Sequence, residues 1–282
     1  MASTSTIGTS TGGKDLKIIH LSTNRTAGKK TLWFDGGLHA REWVTTPTVT
    51  YIADTLLRGY GTNSDATQLL DNFDVIVCPI INVDGVDFTW AEDGDRMWRK
   101  TRSENSRDRC VGTDPCRNFD YEWAGAGASG NECSDTYYGP SAASEPEVQA
   151  VQNYVCGHND TIQLYINFHS YSQLWLSPWG YTNDLPKDYT QQNDGSAVAV
   201  KAVLDTHGKV YEYGATSDTI YPASGIAADY AYGQCGIKYS YTVELRDTGR
   251  YGFLLPPEEI IPSGEEMFAG VVALANYIKA NP

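Results

Sequence analysis

Strand and helix signals interleave along this 282-residue chain, which predicts an α/β fold. Two observations carry that expectation. Apolar runs rich in β-branched and aromatic residues recur at 32–34, 73–77, 161–168 and 239–243, as buried strands require. Helical stripes alternate with them: Val49, Ile52, Ala53, Leu56 and Leu57 share one face, as do Met267, Val271, Leu274 and Ile278. With 41% hydrophobic and 12% aromatic content, a chain of this length can bury a sizeable core as one domain over 1–282.

Taken in order, the first thirteen residues are rich in Ser, Thr and Gly and are expected to form a loose end. Residues 16–21 form the first expected strand. The run 32–34 follows, closed by the turn pair Gly36-Gly37, and the Val49 stripe then predicts a helix. The strand 73–77 runs into Cys78, expected to be an inert buried thiol. Residues 84–138 show little periodicity and hold Arg99, Arg102 and Arg117. Long irregular segments in compact domains are usually functional, so this one is read as the substrate-facing wall. Ser144 with Glu147 and Ser263 with Glu266 have the spacing of capping boxes, and Pro146 suits a first helical turn.

The formal net charge of −14 argues against nucleic-acid binding, because neutralising phosphates requires clustered Lys and Arg. It fits a soluble, self-repelling protein, and a monomer is expected. No apolar run approaches the eighteen or so residues of a membrane span, so no membrane partner is expected. No repeat of fixed period is present.

His39 and Glu42 lie three residues apart just after the 32–34 run, a spacing that can close on one divalent cation. His169 stands at the carboxyl end of the 161–168 strand and Glu244 at the end of 239–243. Ligands of open α/β sheets bind outside the carboxyl ends of strands, so these four residues are expected to converge at one edge. Two neutral imidazoles and a carboxylate leave a fourth tetrahedral position for water, the catalytic form of a zinc site. A remaining carboxylate can act as base.

At these residues the chain resembles the zinc metallocarboxypeptidases of the pancreatic A/B type. The resemblance rests on GLHAREW (37–43), MWRKTRS (97–103), FHSYSQLWLSPWGY (168–181), TIYPASG (219–225) and ELRDTGRYGFLLP (244–256), in the family's order over nearly the whole chain. It implies a mixed, largely parallel eight-stranded sheet with helices on both faces. It also implies one Zn2+ held by His39, Glu42 and His169, a ligand set of which carboxypeptidase A is a standing example. Glu244 would exchange protons with the attacking water and the leaving amine, and Arg102 would face the developing oxyanion. Arg117 would grip the terminal carboxylate of a peptide or protein substrate, with Arg41 and Arg99 as secondary contacts and Tyr221 closing over the terminal residue. An inactive homologue that only binds peptides is the alternative, though such a chain would typically lose a ligand or the base.

The resemblance has three further consequences. Cys110 and Cys133 stand where the family has a disulfide, which implies an extracellular setting. Sequons at Asn24 and Asn159 agree with that setting. Cys116 occupies a position where the family usually has an Asn that donates to the substrate's carboxylate. It is expected to be a free thiol, although its closeness to Cys110 leaves either open to pair with Cys133, and Cys156 and Cys235 stay unassigned. Second, the specificity pocket is expected to be lined by Gly180, Ala223, Ala228 and Thr242. B-type relatives carry an acidic residue at the position matching Ala228, so an apolar pocket for aromatic and aliphatic residues follows, with room for bulky rings. A one-residue shift would instead bring Asp229 into that pocket. Third, the family's catalytic domains usually have a few dozen further residues ahead of 7–22 and its secreted members also carry a signal peptide and pro-segment, so the resemblance implies a mature, truncated or incomplete form as the expectation here.

Overall fold

A computed structural model describes residues 1–23, 28–106 and 110–282; the Asn24 sequon lies outside the described residues. Eight strands form one sheet: β1 (Ala2–Thr9), β2 (Asp15–Leu21), β3 (Lys30–Asp35), β4 (Phe73–Cys78), β5 (Ile162–Ser170), β6 (Leu174–Ser177), β7 (Glu212–Ala215) and β8 (Tyr239–Leu245). Their spatial order is β1-β2-β4-β3-β5-β8-β6-β7. The central run β4-β3-β5-β8 is parallel, whereas β1 and β2 and the β6–β8 contact are antiparallel. The mixed, mostly parallel eight-stranded sheet expected from the sequence is therefore present.

The helices are α1 (Thr45–Gly59), α2 (Ser64–Asn72), α3 (Val83–Trp90), α4 (Pro146–Gly157), α5 (Tyr189–His207), α6 (Thr216–Thr219), α7 (Ala227–Gly233) and α8 (Ile260–Ala280). They cover both faces, and the strands show why. Leu32 and Phe34 of β3 point into one core with Val49, Ile52, Leu56 and Leu274, whereas Trp33 between them joins a second core with Tyr165, Val148 and Ala231. Side chains alternate across a strand, so a continuous apolar run buries both faces at once. Each fully buried Leu, Ile or Phe contributes roughly 1.5–3 kcal/mol. Among the described residues, no helix is long and apolar enough to cross a membrane.

Two local expectations fail. The Ser/Thr-rich start is not loose: Ala2–Thr9 pairs antiparallel with β2, with a register shift between Thr6 and Gly8. Its threonines suit a pleated edge, and Ile7 packs on the core beneath α4. The capping boxes also do not form. Helix α4 starts at Pro146 after Glu145 without a side-chain cap, and Glu147 instead accepts from the Thr11 amide. Ser263 lies inside α8, where its hydroxyl donates to the Glu259 carbonyl, and Glu266 is committed to Arg246. Long-range partners took the carboxylates that local spacing had assigned to backbone amides.

Candidate active site

Strand β4 follows β3 on one side of it while β5 lies on the other, so the strand order reverses between β3 and β5. Ligand sites of α/β sheets sit outside the carboxyl ends of the strands at such a switch. Beyond β3 the chain turns through Gly37, whose φ of 61° is left-handed and whose Cβ would lie 3.0 Å from the Ile80 backbone. Only glycine suits both demands. The Gly37 amide is held by the Thr45 hydroxyl, which itself donates to the Glu42 carbonyl, so the start of α1 braces the His39–Glu42 turn.

His39, Glu42 and His169 meet there, each nearly fully buried. His39 Nδ1 lies 2.7 Å from Glu42 Oε1, His169 Nδ1 lies 2.9 Å from Glu42 Oε2, and the two Nδ1 atoms are 3.0 Å apart. Their far nitrogens are occupied. His39 Nε2–H donates to Asp114 Oδ1 at 3.0 Å, and His169 Nε2–H donates to Asn167 Oδ1. Asn167 in turn donates to Asp35, which also accepts from Trp33 Nε1 at 2.7 Å. Partners on Nε2 orient the rings and leave both Nδ1 lone pairs facing one point, as metal-binding imidazoles require. The donor set and its convergence fit zinc.

Electrostatics give the same picture. Burial and Arg99 pull His39 down while Glu42 and Asp114 push it up, and the carboxylates prevail, raising it to about 9. His169 is likewise raised against its burial, above all by Glu42. Burial alone would raise Glu42, but the two imidazolium neighbours outweigh it and hold the carboxyl below its usual range. The carboxylates around the two imidazoles thus make this a point that favours positive charge, as a divalent cation requires.

Glu244 pairs in register with His169 across β5 and β8 and lines the same cavity. Burial raises its carboxyl to about 7. The cavity, about 300 Å³, is lined by His39, Glu42 and His169, by Arg41, Arg99, Arg117, Cys116 and Tyr221, and by an apolar side that includes Ala223, Ile226 and Thr242. Arg99 is anchored on Asp114 at 2.9 Å and stands 4.0 Å from Glu42. Arg117 is held by the Gly127 and Cys116 carbonyls, with the half-exposed Tyr221 ring 5.9 Å from its guanidinium. Arg41 donates to Asp135 and lies over the Phe253 ring.

Arg102 is the correction. Its guanidinium stacks on Phe88 at 3.7 Å and Trp98 at 4.5 Å and lines a separate shallow cleft with Lys14 and Asp84. The aromatic faces around α3 capture it, and Arg99 stands at the metal centre in its place. Gly180 and Ala228 also differ from expectation. Both are enclosed in the protein and neither lines the cavity. Asp229 is buried too, accepting from the amides of Gly180 and Tyr181, so its carboxylate is not in the pocket.

Cys110 pairs with Cys133, and Cys116 and Cys78 are free and buried. A second disulfide joins Cys156 to Cys235, which the sequence left unassigned. Asp114 and Asn167 were also missed. Asn167 carried a usable signal: a buried strand holding a polar residue two positions before a histidine places both on one face. Nothing distinguished Asp114 from its many acidic neighbours.

A buried two-histidine, one-carboxylate centre with a neighbouring free carboxylate, at the switch point of a mixed sheet, defines a metallohydrolase site. The zinc carboxypeptidase family matches residues 1–270, and the chain belongs to it. It is 45% identical to carboxypeptidase B of Astacus astacus, over 99% of this chain and 90% of that one. It is 41% identical to carboxypeptidase A2 of Mus musculus, over 98% of this chain but only 65% of the relative. Among solved structures, bovine thrombin-activatable fibrinolysis inhibitor, in complex with tick carboxypeptidase inhibitor, superposes with a TM-score of 0.93 at 38% identity. That match covers 100% of this chain and 92% of the other.

Proposed function

We propose that the protein is a one-zinc exopeptidase that releases apolar C-terminal residues from peptides and proteins. The carrying observation is the His39–Glu42–His169 trio with Glu244 in register beside it and Arg99 and Arg117 on the same cavity. Zinc held by that trio supplies Lewis acidity and a nucleophilic water near neutral pH. Arg117 holds the substrate's terminal carboxylate, and Cys116 and Arg41 stand beside it. Tyr221, on the exposed rim, closes over the terminal residue. Glu244 takes the proton of the attacking water and passes it to the leaving amine. Arg99, fixed by Asp114, stabilises negative charge on the carbonyl oxygen.

Relatives named carboxypeptidase A and carboxypeptidase B match this chain to similar degrees, so the pocket has to decide specificity. Its apolar side carries Leu176, Ile220, Ala223 and Ile226, and among the described residues the carboxylates that line it are those of Glu42 and Glu244. A desolvated ammonium or guanidinium would have no partner there, which supports apolar residues. The two disulfides support an extracellular location.

Hydrolysis of blocked dipeptides ending in Leu, Phe or Arg tests the reading. Release of the apolar residues should stop with a chelator and return with zinc. Zinc-replete, folded protein that binds such peptides without turning them over would establish the binding-module alternative, and faster cleavage of Arg than of Leu and Phe would overturn the specificity.

A further inference from the structure

The apolar end of the cavity is closed by Ile226, the residue before α7. Ile226 is only 3% exposed and belongs to the cavity wall. Behind it lies Gly180, where a Cβ would fall 2.6 Å from the Ile226 Cδ1 and 2.6 Å from the Ala223 carbonyl oxygen. The tip of Ile226 thus occupies the space that the missing side chain of Gly180 leaves. Asp229 Oδ2 comes within 3.5 Å of that same point. Its carboxylate accepts from Gly180 N at 2.9 Å and Tyr181 N at 3.2 Å and is wholly enclosed. One aliphatic side chain therefore separates the cavity from both a side-chain-free stretch of backbone and a buried carboxylate.

We propose that Ile226 is a specificity-determining residue that sets the depth of the pocket, favouring aliphatic over large aromatic C-terminal residues, and screens Asp229 from basic ones. The proposal rests on the carboxypeptidase reading and narrows it. The Ile226 side chain fills the space beside the Ala223 carbonyl and Gly180 that a deep-reaching indole would need. Removing the Ile226 side chain extends the pocket to Gly180 and brings Asp229 to its floor. A single methylene in an apolar pocket shifts discrimination by roughly 10- to 200-fold, so the effect is measurable.

The test compares kcat/KM of the zinc-loaded full chain on blocked dipeptides ending in Leu, Trp and Arg. For the unaltered protein, Leu should exceed Trp by about tenfold or more. Ile226→Gly should raise the Trp/Leu and Arg/Leu ratios by about tenfold each. Ile226→Val removes only Cδ1, the atom against Gly180, and should raise Trp/Leu by a smaller factor even if the glycine variant does not fold. A Trp preference in the unaltered protein, or a Trp/Leu ratio that neither variant moves, overturns the depth assignment while leaving the peptidase reading intact. An Arg/Leu ratio unchanged in folded Ile226→Gly overturns the screening of Asp229. Absence of turnover on all three peptides by zinc-loaded, unaltered protein rejects the peptidase reading and this inference with it.

Discussion

Glu244, proposed above as the base, adjoins His169 on the neighbouring strand and stands outside the convergent trio of His39, Glu42 and His169. Glu244→Gln should keep zinc and reduce kcat by about 10² to 10⁴, because an amide cannot accept the proton. Undiminished turnover at unchanged zinc content would refute the role. The base must be ionised, so kcat/KM falls as pH drops through its pKa. Burial raises that pKa to about 7 and a bound cation lowers it again, which puts the acid limb between about 4.5 and 7. In Glu244→Gln that limb should vanish from the residual activity; its persistence assigns the limb to another group. Cys116 is the second residue of interest, a free thiol 6% exposed beside Arg117, at the position where the resemblance implies an Asn. A thiol is a weak donor, so Cys116→Asn should lower KM by about tenfold, as expected for a gained bond to a charged group. An unchanged or higher KM rejects the lost hydrogen bond.

At the scale of elements, the end of β8 is tied to α8 by Arg246. Its guanidinium donates twice to Glu266 and once to Glu259, and Arg246 and Glu266 are both buried. This fork fixes the segment two residues beyond Glu244, so that carboxylate and the longest helix are positioned together. Glu266→Ala leaves a buried guanidinium short of a partner and should cost about 3 to 5 kcal/mol, read from the urea midpoint. A loss under 1 kcal/mol would show that Glu259 alone suffices.

Across the whole molecule, two disulfides close loops of very different length. Cys156–Cys235 joins positions 79 residues apart, from the end of α4 to just past α7, whereas Cys110–Cys133 spans 23. In the chain-entropy account the longer loop restricts the unfolded state by about 1 kcal/mol more. Replacing Cys156 and Cys235 by Ala should therefore destabilise the protein by roughly 4 kcal/mol, against about 3 for the Cys110 and Cys133 pair. The opposite ranking in equilibrium unfolding would show that local packing outweighs loop closure here.

By itself the sequence determined the alternation of strands and helices, the position of each central strand, and the four residues near their ends that the structure gathers on one cavity. These follow from periodicity and from the rule that α/β sites gather at strand ends, both of which are local or topological. Only the tertiary structure decided which arginine faces the metal centre, because Arg99 and Arg102 differ by three places in an irregular segment and the aromatic rings that capture Arg102 come from around α3. It likewise decided that Glu266 joins Arg246 rather than an N-terminal amide, that Ser/Thr-rich residues become an edge strand, and that Ile226 rather than Ala228 lines the cavity. Each of these outcomes is a competition between alternative partners, settled by packing that local spacing does not reveal.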